Sequence, residues 1–184
     1  MDLVKGKGMN SNMIFSEYSE DLRNGYMEMF RNSSPRYHLT LTFKYRVNQR
    51  VAENLLNKFM VFLNRAILKG RYKRNGEALI AFVVKEPTPA MENSHFHIII
   101  SDPEWKLPKT KRMTRIIGKK IENLNRTVKS VNQINRHMLQ EYYEGDEESN
   151  LEKYLTKIFE RPGLTDQERM NAIAPLGVAP VSFF

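Results

Sequence analysis

Apolar and polar residues alternate strictly from residue 38 to residue 43. Leu39, Leu41 and Phe43 take one parity; His38, Thr40 and Thr42 take the other. A period of two in a Thr-rich stretch predicts a half-buried strand within residues 36–45. Its apolar parity goes to the core, and His38, Thr40 and Thr42 face the other way. From residue 49 the period lengthens. Val51, Leu55, Phe59, Phe62, Leu63 and Ala66 form one stripe of a helix that Gly70 ends, while Asn57, Lys58, Asn64 and Arg65 lie mainly off the stripe. Residues 78–85 are almost continuously apolar, which suits a central strand covered on both faces. Pro87 and Pro89 stop it. A short loop then leads to another strand over 95–100, and the two read as an antiparallel pair.

Helical spacing returns over 108–125, where Met113, Ile116, Ile117, Ile121 and Leu124 make the stripe. A weaker strand follows over 128–139, then an acidic loop at 144–148. Ser149 and Glu152 form a capping box for a last helix that runs to about Glu160, before Pro162. Residues 1–34 read as an irregular N-terminal segment with a short helix near 17–30. Residues 35–160 read as one domain, and 161–184 as a C-terminal tail. The order of elements predicts an α+β fold: an antiparallel sheet with flanking helices.

Composition narrows the chemistry. The 184 residues carry 29 Lys and Arg against 21 Asp and Glu, a net charge of +8. That balance favours anionic partners such as nucleic acid. Cysteine is absent, which excludes disulfides, thiolate zinc sites and thiol catalysis. A bound metal must take His, carboxylate or amide ligands. No apolar run approaches the roughly 18–20 residues that span a bilayer, and no secretory signal opens the chain. A soluble protein acting inside a cell, in the cytoplasm and away from membranes, is expected.

Two short patterns carry candidate chemistry. His95-Phe96-His97 on a strand sends both imidazoles to one face, where two histidines can share a divalent ion. Glu86, at the end of the preceding strand, is the candidate third ligand, with Glu92 in the loop as its rival. Two imidazoles and a carboxylate would leave coordination positions for substrate oxygens. Tyr154 and Lys157 stand three apart on the capped helix and so share a face. A cation beside a phenol favours the phenolate, the nucleophilic form. Ordinary strand histidines, a solvated Glu and an amphipathic Tyr at a helix boundary are the plain alternatives. Tyr142 and Tyr143 are rival nucleophiles without that helix and lysine. On helix 108–125 the exposed side carries Lys109, Lys111, Arg112, Arg115, Lys119 and Lys120, suited to phosphates or simply solvated. His38 and His137 read as structural.

Taken in order, His38-Leu39-Thr40-Leu41-Thr42-Phe43, His95-Phe96-His97 and Tyr154-Leu155-Thr156-Lys157 resemble the three motifs of the HUH endonuclease superfamily. Within it they resemble the rolling-circle replication initiator (Rep) proteins. The resemblance spans roughly residues 36–160. The tyrosine follows the histidine motif, as in Reps, and Ile158 stands where a second tyrosine would, which resembles the one-tyrosine class. The resemblance implies a ferredoxin-like nuclease fold in which His95, His97 and Glu86 hold Mg²⁺ or Mn²⁺. It implies that Tyr154 nicks single-stranded or hairpin origin DNA through a 5′-phosphotyrosine link, with Lys157 assisting, and that replication of a plasmid or virus starts there. Thr40 and Thr42 are expected to face the DNA. No Walker-type phosphate loop is present, so a host or viral helicase and polymerase are the implied partners. A one-tyrosine transposase, or a nucleic-acid-binding module without catalysis, is the alternative reading.

Overall fold

A computed structural model of the chain describes residues 11–86, 95–104, 106–142, 159, 165, 167, 169 and 172–176. In chain order the elements are α1 Ser11–Asn32, β1 Pro35–Phe43, α2 Gln49–Ile67, α3 Gly70–Asn75, β2 Ala81–Glu86, β3 His95–Ser101, α4 Thr110–Asn125, β4 Ile134–Glu141 and β5 Ile173–Leu176. The five strands form one sheet in the order β4-β1-β3-β2-β5, with every adjacent pair antiparallel. The fold is α+β, and β2 and β3 pair as their sequence predicts.

The period-2 pattern decides which side of the sheet each residue serves. Leu39, Leu41 and Phe43 of β1 join Phe96, Ile98 and Ile100 of β3 and Ala81 and Val83 of β2 in the main core. Helices α2 and α4 cover that side through Leu55, Leu56, Phe59, Leu63, Met113, Ile117, Ile121 and Leu124. Each large aliphatic or aromatic side chain removed from water contributes about 1.5–3 kcal/mol. The opposite side carries a second cluster: Phe82 and Val84 of β2, Ile99 of β3 and Ile173 of β5. Helix α1 covers it with Phe30, Leu22 and Tyr26, and Phe30 meets Phe82 edge to face at 4.9 Å. Three layers result, and β2 is buried on both faces, as its continuous apolar run requires.

Several boundaries depart from the sequence expectation. The N-terminal helix is longer than 17–30 and packs on the sheet, so residue 34 marks no packing boundary. Within the segment expected as a tail, residues 173–176 pair with β2. The strand expected over 128–139 begins only at Ile134. Residues Ser130–Asn132 make a 3₁₀ turn first. Asn125 then pins the strand start, its Nδ2 donating to the Ile134 carbonyl (2.8 Å) and its Oδ1 accepting from Ile134 N (3.0 Å). Helix α2 ends at Ile67, before the Gly70 expected to stop it; Gly70 instead opens a short helix, after Lys69 takes a positive φ of 51°. Asn64, expected off the buried stripe, is buried because its Oδ1 accepts from Leu79 N at 2.7 Å, which fastens the approach to β2.

Candidate functional site

The second sheet face divides in two. Toward β2 it is apolar and lies under α1. Toward β1 and β4 it carries His38, Thr40, Thr42, His95 and His97. The register explains the grouping, because residues directly opposite in an antiparallel pair share a face. His97 stands across from Thr40 on one side and Val84 on the other. His95 stands across from Thr42 and Glu86. Glu86, expected as third ligand, therefore stands at the register position across from His95. Glu92, its rival, lies outside the described residues.

Alternation along β3 does what His-apolar-His predicts. Phe96 enters the main core, while the rings of His95 and His97 lie 5.3 Å apart centre to centre, nearly perpendicular at 88°. Two imidazoles bound to one ion through nitrogens about 2.1 Å from it have ring centres roughly 5 Å apart, so the spacing suits a shared divalent ion. The donor set is right for Mg²⁺ or Mn²⁺ only with added oxygen ligands. Among the described residues no three His, Asp or Glu side chains gather closely enough to hold a metal ion. A metal ion held by this pair would therefore need a carboxylate or substrate oxygens as further ligands.

His38 belongs to this cluster, although its sequence suggested only a structural role. Its Nε2 lies 3.1 Å from His97 Nδ1, and Thr40 Oγ1 lies 3.2 Å from the same nitrogen. His38 and His97 are 5% and 2% exposed. Burial pulls the His38 imidazole below its ordinary range, against a hydrogen bond with Gln140 that favours the protonated ring. The signal available in the sequence was parity. His38 shares a strand face with Thr40 and Thr42, and only the pairing of β1 with β3 reveals which residue that face meets. Thr40, expected to face DNA, is half-buried against His97. His137 pairs with Leu41 and lies against Gly118 of α4, on the other side of the sheet.

The expected DNA-contact cations sit elsewhere. Lys109, Lys111, Arg112, Arg115 and Lys119 are exposed on or beside α4, whose apolar stripe faces the main core. The sheet separates them from His95 and His97. On that helical side a groove of about 470 Å³ runs between α2 and α4, with Phe62, Arg65, Lys120, Asn123, Arg126 and Thr127 along it. The surface lining the groove is almost wholly carbon, so Arg65, Lys120 and Arg126 present their alkyl stems to it.

Tyr154 and Lys157 lie outside the described residues, as do rival Tyr143 and the expected capping box. Phe159, two positions beyond Lys157, is helical and buried in the second cluster with Val84 and Ile99. Its ring lies 5.8 Å from that of Tyr26 in α1. Rival Tyr142 packs at the edge of the same cluster.

No protein-family model matches the chain, and no curated protein matches it in sequence. No described helix is long and apolar enough to cross a membrane.

Proposed function

We propose that this protein is a metal-dependent endonuclease that cuts and rejoins single-stranded DNA through Tyr154, in the manner of a one-tyrosine rolling-circle initiator. The observation that carries the reading is the shared sheet face. His95 and His97 lie on it, and Phe159, five positions after Tyr154, is buried in the apolar cluster of the same face together with Val84 and Ile99. Five residues of helix advance about 7.5 Å, so the expected helix would put Tyr154 within two turns of that cluster.

In this reading His95 and His97, with Glu86 from the neighbouring register position, would hold Mg²⁺ or Mn²⁺. Bound there, the ion would supply Lewis-acid polarisation of the scissile phosphate. The Tyr154 hydroxyl gives up its proton and its oxygen bonds to phosphorus. The bond from phosphorus to the 3′ oxygen breaks, and that oxygen leaves as a hydroxyl after taking a proton. A 5′-phosphotyrosine remains, and attack by a 3′-hydroxyl reverses it without nucleotide hydrolysis. Lys157 offsets charge developing on the phosphoryl oxygens. Origin DNA, single-stranded or in a hairpin, is the substrate, and a host or viral helicase and polymerase extend the freed end.

The test is incubation with labelled single-stranded and hairpin oligonucleotides in Mn²⁺, read on a denaturing gel. A covalent protein–DNA band is expected that disappears in Tyr154→Phe and falls steeply in His97→Ala. A band that survives Tyr154→Phe would move the nucleophile, with Tyr142 the first candidate. The cations on the far side of the sheet favour one competing reading, a binding module that does not use the histidines. Tight metal-independent binding with no adduct from any oligonucleotide would establish that module instead.

A further inference from the structure

The His97 ring is held from behind. A neutral imidazole has one N–H and one nitrogen lone pair, and only the lone pair can bind a cation. His97 Nδ1 sits within hydrogen-bond distance of two groups on β1, His38 Nε2 at 3.1 Å and Thr40 Oγ1 at 3.2 Å. Turning the ring over would put a carbon in place of Nδ1 and lose both contacts. The rings of His38 and His97 are tilted at 34° with centres 5.3 Å apart, a spacing set by the β1–β3 register rather than by the two side chains alone.

Two proton arrangements fit these distances. In one, His38 Nε2–H donates to His97 Nδ1, and the His97 proton then sits on Nε2, where it blocks coordination. In the other, His97 Nδ1–H donates to His38 Nε2, and His97 Nε2 keeps its lone pair. Only the second lets His97 bind a cation through Nε2 while Nδ1 keeps both contacts with β1. Gln140, directly across from His38 in β4 and hydrogen-bonded to its ring, completes that arrangement when its carbonyl accepts from His38 Nδ1–H and leaves Nε2 as the acceptor nitrogen.

We propose that His38 and Thr40 are positioning residues that hold His97 in the tautomer protonated on Nδ1, so that Nε2 faces a divalent cation as a ligand. The Gln140–His38–His97 chain of hydrogen bonds, with Thr40 as a second acceptor, gives the proposed metal site its orientation. This rests on the reading that His95 and His97 bind the ion. Partners behind a metal-ligating imidazole typically change affinity by about 10–100-fold.

The experiment uses the full-length protein in two measurements. Long-range ¹⁵N–¹H correlation of the metal-free protein reads the His97 tautomer directly, and the Nδ1–H form is expected. Calorimetric titration with Mn²⁺ reads affinity. His38→Leu is expected to weaken Mn²⁺ binding about 10–100-fold and to mix the His97 tautomers. His38→Gln keeps an acceptor amide and is expected to retain affinity within a few-fold. Thr40→Val is expected to lie between them. Circular dichroism checks folding, and if His38→Leu unfolds, the wild-type tautomer and the other two variants decide. An Nε2–H tautomer in the wild type overturns the proposal, as does undiminished Mn²⁺ binding in His38→Leu when His97→Ala abolishes it. A folded wild type that takes up no Mn²⁺ defeats the metal reading instead, while the tautomer measurement still judges the hydrogen-bond chain.

Discussion

Asp102→Ala removes the anchor at the start of β1, the strand that carries His38 and Thr40. Arg36 enters the sheet 9% exposed, and its Nη1 donates to Asp102 Oδ2 at 2.5 Å and to the Leu107 carbonyl at 3.2 Å. Asp102 is 6% exposed and also accepts from Lys106 N at 2.8 Å and Leu107 N at 2.9 Å. Removing the carboxylate leaves a buried guanidinium uncompensated, which typically costs 3–5 kcal/mol. The Leu107 amide loses its acceptor, at roughly 1–3 kcal/mol more. Glu141, 3.5 Å from Arg36 Nε, offsets part of this. A net loss of about 4 kcal/mol is expected, a large share of the roughly 5–15 kcal/mol that holds a domain folded. Urea unfolding followed by circular dichroism measures it, with the midpoint falling and the slope unchanged. Asp102→Asn, which keeps acceptors for the two amides, is expected to lose less. Arg36→Met with Asp102→Leu is expected to recover most of the loss, because no lone charge remains. A loss below about 1 kcal/mol in Asp102→Ala would refute the view that this pair anchors β1.

Three further outcomes follow from the same coordinates. Because burial depresses the His38 pKa, the unfolded chain binds that proton more readily, so metal-free stability is fully present above the unfolded value near 6.5 and declines as pH falls below it. The decline runs at up to about 1.4 kcal/mol per pH unit until the folded value is passed, and urea midpoints at pH 5.5 and 7.5 should differ less in His38→Leu than in the wild type. Asn64→Ala leaves the Leu79 amide without its acceptor and is expected to cost about 1–3 kcal/mol in the same assay; an unchanged midpoint would mean water replaces the side chain. Arg65→Ala with Arg126→Ala should weaken binding of a single-stranded oligonucleotide and flatten its log–log salt dependence by up to about two. A uniform loss with unchanged slope would remove the groove from the nucleic-acid surface.

Local periodicity made much of this fold readable. Leu39, Leu41 and Phe43 alternate, residues 78–84 are apolar throughout, and Met113, Ile117, Ile121 and Leu124 are spaced for one helix face. Each pattern reports burial, and burial is what a sheet with helices on it organises. The His95–His97 pair was legible for the same reason, since alternation alone puts both rings on one side. His38 was not, because its contact with His97 spans 59 positions and depends on register. Asn64 was misread because a polar side chain gives no sign of burial until its partner, the Leu79 amide, is known. The placement of α4 against the sheet was also invisible, and it puts the basic residues behind the histidines rather than beside them. Residues 173–176 carry only four positions and include Pro175, too little for a strand signal, although proline is tolerated in an edge strand.

That last strand has a consequence for biosynthesis. Domains assemble as they emerge from the ribosome, N-terminal parts first, yet one border of this sheet is supplied by residues 173–176, which follow every other described strand. Until they arrive, β2 presents a row of unsatisfied amides and carbonyls able to recruit a like strand from another nascent chain. A gene shortened before codon 173 would therefore yield a product prone to self-association, even though both histidines and the tyrosine are already encoded.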